Sequence, residues 1–128
     1  MEIMGIHHIA IICSDYEKSK HFYVNILGCQ VIHELYREER QSYKCDLRLG
    51  ESDQIELFSF PSPPGRLTHP EACGLRHLAF KVKDINQAKL ELEEADIEVE
   101  SIRKDPITGK LFTFFQDPDH LPLELYEI

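Results

Sequence analysis

No stretch of this chain approaches the roughly 20 consecutive apolar residues of a membrane span. The N-terminus, Met1-Glu2-Ile3-Met4-Gly5, shows no basic region ahead of a long apolar run. Neither a membrane partner nor a secretory leader is therefore expected. There is no C-x-x-C pair: the four cysteines, Cys13, Cys29, Cys45 and Cys73, lie far apart. They read as buried or semi-buried thiols of a cytoplasmic protein, not as a disulfide framework or a zinc ribbon. Positive charge is scarce. With 14 Lys and Arg against 23 Asp and Glu, the net charge is −9. A nucleic-acid surface needs a concentrated basic patch, so that partner is set aside as well. Low-complexity sequence is absent too, and the acids at Glu91, Glu93, Glu94, Asp96, Glu98 and Glu100 read as a solvated helix face and its following turn.

What the chain does have is enough apolar sequence for a core, and an internal repeat. Its 128 residues, 42% of them hydrophobic, make one compact structural unit. Gly5-Ile6-His7-His8-Ile9-Ala10 lines up with Gly74-Leu75-Arg76-His77-Leu78-Ala79, and Asp15 lines up with Asp84. Later in each half an acid sits between apolar residues, in Ile55-Glu56-Leu57 and Leu123-Glu124-Leu125. The His-to-Glu spacing is 48 residues in the first copy and 47 in the second. Two His and two Glu related by a pseudo-two-fold are what a divalent-metal site needs.

Each half reads as strand, helix, then strands. The segments 6–13 and 75–82 are short, apolar and rich in strand formers. Ser14-Asp15 and Asp84 stand at N-cap positions ahead of helices at about 16–27 and 85–95. Further strands are predicted at 29–36, 42–49 and 53–60, and again at 97–103, 111–116 and 121–127. The fold class is therefore α+β: two βαβββ repeats, about 5–60 and 74–127, joined by a Pro-rich linker over 61–73. The repeats are expected to form a cupped mixed sheet with helices on its outer face. Alternation assigns the faces. Ile9 and Ile11 go under the first helix, leaving His8, Ala10 and Ile12 toward the cup. Leu78, Phe80 and Val82 go to the helix, leaving His77, Ala79 and Lys81. Glu56 and Glu124 likewise point away from their flanking Ile and Leu neighbours. A carboxylate in mid-strand is costly unless it is paired or bound to a cation.

At these residues the chain resembles the vicinal-oxygen-chelate superfamily, which includes glyoxalase I, methylmalonyl-CoA epimerase, extradiol dioxygenases and antibiotic-resistance proteins. The resemblance covers nearly the whole chain. It rests on His8 to Asp15, Phe22-Tyr23, Leu27-Gly28, Gln54 to Leu57, His77 to Asp84, Asp117-Pro118-Asp119 and Leu123 to Leu125. The small bacterial glyoxalase-like members are the most similar. The resemblance implies that His8, Glu56, His77 and Glu124 bind one divalent metal ion, and that the protein is a homodimer. Two departures stand out. The Arg and Asn that glutathione-using glyoxalases carry four residues after the first His and first Glu are replaced here by Ile12 and Phe60. Both polar anchors for the glutathione carboxylates are missing.

Two imidazoles and two carboxylates suit Ni, Co, Zn, Mn or Fe. Such a site polarises a carbonyl and stabilises the enediolate left when an α-proton departs. One of Glu56 and Glu124 then acts as the base, and symmetry does not say which. The expected activity is lyase or isomerase chemistry on a small α-hydroxycarbonyl or thiohemiacetal-type molecule. A non-catalytic ligand-binding protein is the alternative. A ring-cleaving Fe(II) dioxygenase is disfavoured, because a fourth protein ligand fills a position that oxygen chemistry needs open. Arg37, Arg48, Lys81 and Phe114 are candidates for contact with the substrate. Arg48 has the competing reading of an internal salt bridge, and Phe114 that of plain wall. His7 is expected to be structural, His21 to lie on the surface, and His120 to be a turn residue. His33 and His69 have no partner in the repeat.

Overall fold

The computed structural model describes residues 1–128. The chain divides into two compact units, Met1–Gly65 and Arg66–Ile128, with the division inside the Pro-rich stretch. Each unit carries one four-stranded mixed sheet and one α-helix, an α+β architecture. No helix is long and apolar enough to cross a membrane.

The first unit contains β1 (Ile9–Cys13), α1 (Tyr16–His21), β2 (Gln30–Arg37), β3 (Ser42–Leu49) and β4 (Asp53–Ser59). The strand order is β1-β4-β3-β2, with β1 parallel to β4 and the remaining pairs antiparallel. Alternation governs each strand: Ile11, Cys13, Cys45, Leu47, Ile55 and Leu57 are buried on one face. Lys44, Asp46 and Glu56 occupy the other. Burying Leu47 and Leu57, each 0% exposed, contributes about 1.5–3 kcal/mol apiece.

Asp15 caps α1, its Oδ1 accepting from the Lys18 N–H at 3.1 Å. The helix does not continue regularly to residue 27. After His21 it opens into a π-helical turn, Phe22–Ile26, closed by the Leu27 N–H on the Phe22 carbonyl at 3.0 Å. The extra residue lets the adjacent Phe22 and Tyr23 both turn inward, to 3% and 0% exposure. Gly28, at φ +79°, then ends the helix in a conformation that other residues adopt only with strain. Tyr16 ties α1 to the sheet. Its ring stacks on Tyr43 at 4.2 Å, and its hydroxyl donates to Glu34, which Lys20 also contacts at 2.7 Å. Burial, and then the bond to Glu34, push the Tyr16 hydroxyl well above its ordinary pKa.

The second unit contains β5 (Leu78–Val82), α2 (Ile85–Glu94), β6 (Arg103–Lys104), β7 (Leu111–Gln116) and β8 (Pro122–Glu127), in the order β5-β8-β7-β6. Asp84 caps α2 through the Gln87 N–H at 3.0 Å, and Glu127 accepts from the Ile85 N–H at 3.0 Å. Ile85, Leu123 and Thr113, all fully buried, form the centre of its core.

The strand expected at 97–103 is not there; only Arg103 and Lys104 join the ladder. Isolated bonds take the place of a ladder: the Ile97 N–H returns to the Leu92 carbonyl at the helix end, the Glu100 N–H donates to the Phe114 carbonyl at 2.9 Å, and the Thr113 hydroxyl donates to the Glu100 carbonyl at 2.8 Å. β1 and β5 also begin three residues later than the apolar runs imply, so that His8 and His77 precede their strands. Asp117 is a turn-former, accepting from the Asp119 and Leu121 N–H groups at 2.8 and 2.9 Å. His120, at φ +64°, completes that turn. All four cysteines are free, and Cys73 is exposed rather than semi-buried.

Candidate functional site

Register brings each histidine to its glutamate. The β1–β4 ladder sets Ala10 opposite Glu56, and the β5–β8 ladder sets Ala79 opposite Glu124. His8 and His77 lie two residues earlier on the same faces. His8 Nε2 is 3.4 Å from Glu56 Oε2, and His77 Nε2 is 3.1 Å from Glu124 Oε2. Both glutamate side chains are only 13% exposed. Each emerges between buried neighbours, Ile55 and Leu57 or Leu123 and Leu125.

The surroundings of the two pairs differ. The His7 and His8 Nδ1 atoms are 2.9 Å apart, which leaves His8 Nε2 turned to Glu56. Holding one ring nitrogen so that the other is presented is how a ligating imidazole is usually oriented. His7, expected to be structural, is exposed and touches only the ring beside it in this contact. His77 is braced by Phe114, edge to face at 5.2 Å, and Phe114 is the cross-strand partner of Glu124. Lys44 Nζ lies 2.9 Å from Asp46 and 3.4 Å from Glu56. Those carboxylates, Asp46 foremost, raise its pKa. Phe112 holds the matching place in the second unit, opposite Tyr126 as Lys44 is opposite Phe58. Glu56 is therefore gripped by two cationic or polar partners, and Glu124 by one.

Each pair sets an imidazole nitrogen against a carboxylate oxygen at a distance that a small cation would close, and this donor chemistry fits a borderline divalent metal. The chain brings together no group of three or more His, Cys, Asp or Glu side chains that could hold a metal, and each unit offers one pair of donors.

The other predicted contact residues fall out unevenly. Arg37 lies 5.1 Å over the Phe58 ring and 6.0 Å over Phe60, and it donates to the Ser42 hydroxyl at 2.9 Å. Arg48 and Lys81 are exposed on their strands, and Asp46 pairs with Lys44 rather than Arg48. Sequence reasoning missed a pocket of about 470 Å³ in the second unit, lined by His77, Phe112, Phe114, Gln116 and three arginines, Arg66, Arg76 and Arg103. Arg103 lies 5.0 Å over Phe112 and 5.7 Å over Phe114, the counterpart of Arg37 over its own two phenylalanines. The signal was faint, because a two-residue strand has no periodicity to read.

Repeated βα units with a His–Glu pair on matching ladders define the class of protein. The chain belongs to the Glyoxalase/Bleomycin resistance protein/Dioxygenase superfamily, whose family model matches residues 5–125. It is 68% identical over 127 residues to the uncharacterized protein YwkD of Bacillus subtilis (strain 168), covering 99% of both chains. The crystal structure of the glyoxalase family protein from Enterococcus faecalis is similar at a TM-score of 0.92 and 50% identity, covering 99% of this chain and 100% of that one. More distantly, the chain is 32% identical over 95 residues to mitochondrial methylmalonyl-CoA epimerase of Homo sapiens, covering 72% of this chain and 54% of that protein.

Proposed function

We propose that this protein is a divalent-metal-dependent lyase or isomerase that moves a proton on a small α-hydroxycarbonyl-type substrate, and that His8, Glu56, His77 and Glu124 hold the metal. The observation that carries this reading is the His77–Glu124 pair, 3.1 Å apart, with His77 lining a 470 Å³ pocket. A divalent ion held there supplies Lewis acidity, which lowers the cost of negative charge on a carbonyl oxygen.

The residues divide the remaining work. Glu124, half-buried and free of a lysine partner, accepts the proton from the carbon beside the carbonyl. It returns that proton to the neighbouring carbon or to the opposite face. Glu56 is the holding carboxylate, kept in place by Lys44 and His8. His7 and Phe114 orient the two imidazoles. Ile12, 56% exposed, and Phe60 offer no polar anchor for a glutathione carboxylate, which favours a substrate without that carrier. The methylmalonyl-CoA epimerase relative supports proton-transfer chemistry as the class. The four-ligand set is completed within one chain or across a homodimer, and mixing His8→Ala with His77→Ala protein distinguishes the two, because only a site shared between chains regains an intact set.

The test is elemental analysis of protein purified without chelator, followed by α-proton exchange in D2O over a panel of hydroxycarbonyls. About one divalent ion per four-ligand set is expected. Exchange should be lost in Glu124→Gln while Glu56→Gln chiefly loses metal. No bound metal, and no thermal shift with Ni, Co, Zn or Mn, would sink the proposal.

A further inference from the structure

We infer that the pocket beside His77 selects a compound with an anionic head and an apolar body, and that Arg103 is the residue that reads the anion. This rests on the proposed site, whose His77 lines the same pocket, and it names the substrate class that the site takes.

Charge gives the first argument. The pocket collects three arginines against Glu71 and Glu100, in a chain whose net charge is −9. A local excess of guanidinium groups against that background marks a place built for negative charge.

The three arginines are not equivalent. Arg66 uses one terminal nitrogen to bond the Leu75 and Arg76 carbonyls at 2.6 and 2.9 Å, so it clamps the loop. Arg76 is 74% exposed and faces Glu71 at 3.6 Å. Arg103 is the pre-placed one. Its guanidinium lies over the Phe112 and Phe114 rings, and Glu100 takes a single terminal nitrogen at 2.9 Å. A guanidinium has five N–H donors, so the other donors stay open for a carboxylate or a similar planar anion. Cation–π contact with two rings that stand at 88° to each other holds the group in place before a ligand arrives.

The rest of the lining suits an apolar body. Phe112, Phe114 and Phe115 supply walls, with Pro122 and Leu67 beside them. Among these groups the Thr68 hydroxyl is buried without a hydrogen-bond partner, a polar atom available to the ligand. A volume of about 470 Å³ accepts an aryl- or branched-chain acid.

The experiment is calorimetric titration of metal-stripped, full-length protein with 3-phenyllactate and its neutral isostere 3-phenyllactamide, at low ionic strength. A charge-assisted contact predicts that the acid binds roughly tenfold or more tighter than the amide. Arg103→Gln should abolish that preference. Lys104→Gln removes the same charge from the adjacent exposed residue outside the lining, and it should keep the preference. Equal binding of acid and amide overturns the inference. So does a preference that survives in Arg103→Gln, or one lost equally in Lys104→Gln. Because the titration uses no metal and no turnover, an anion preference in a protein that binds no divalent ion would separate this inference from the proposed chemistry. Metal binding without the preference would separate them the other way.

Discussion

Lys44→Met tests whether the first unit is built around a charge that a metal can replace. Asp46 and Glu56 are direct cross-strand partners, and Lys44 Nζ sits 2.9 Å from one and 3.4 Å from the other. Methionine keeps most of the stem and removes the ammonium. Two opposed carboxylates about 6 Å apart repel by roughly 3 kcal/mol at an effective dielectric near 20. Rotamer relaxation and water lower that figure, so the expected cost is about 1–3 kcal/mol at pH 7 and low salt. The pH dependence follows from the linkage. The pKa of Lys44 is raised by Asp46 and then Glu56. Its contribution is thus complete below the unfolded lysine value, near 10.4, and is lost as pH rises through the higher folded value. In the variant the penalty belongs to the ionised carboxylates, so the gap to the parent should shrink in acid. Urea unfolding followed by circular dichroism from about pH 3 to 11 measures both. Saturating Zn or Mn should restore more stability to the variant than it adds to the parent. A variant as stable as the parent at pH 7, or a deficit that grows on acidification, would refute the reasoning.

Glu34→Gln should cost about 1 kcal/mol at pH 7 in chemical denaturation. Lys20, and then Tyr16, hold the Glu34 carboxyl below its usual pKa. Its contribution is therefore present above the unfolded value near 4.3 and lost as pH falls through the lower folded one, which closes the gap to the variant in acid. Leu57→Ala empties a fully buried position between β1 and β3 and should cost about 2–5 kcal/mol by the same measurement. A Cβ at Gly28 meets no atom within 4 Å, so Gly28→Ala should cost only the strain of its φ of +79°, about 1 kcal/mol in thermal unfolding. A larger loss would mean that the helix end packs more tightly than its backbone requires.

Alternation was the legible part of the sequence. Ile11 and Cys13, Cys45 and Leu47, Ile55 and Leu57 turn inward as a period of two requires, which leaves His8 on the face of Glu56 and His77 on the face of Glu124. The caps at Asp15 and Asp84 were equally plain, because an acid before an apolar helical stripe has few other uses. The π turn was hidden, since Phe22-Tyr23 satisfies a regular apolar stripe as well as an irregular one. The segment 97–102 misled because Ile97 and Val99 alternate with Glu98 and Glu100 like a strand, while the Thr113 side chain on β7 takes the Glu100 carbonyl that a ladder would need. His7 gave no signal because its role depends on the ring beside it, and Arg103 gave none because its role comes from two rings across a strand pair.

The His–Glu pairs hang on β1–β4 and β5–β8, where a slip of one residue would drive the glutamate into the core and unfold the unit along with its site. Arg66 and Arg76 stand on the connecting loop, and Arg103 on a two-residue edge. The His–Glu rungs are thus inherited as part of the scaffold itself. The residues proposed to recognise the compound sit where substitutions and insertions cost little. Descendants of such a chain can exchange one cargo for another through a few surface changes, while drift in the ladders is purged by misfolding. A lineage built this way diversifies in what it handles long before it diversifies in how it handles it.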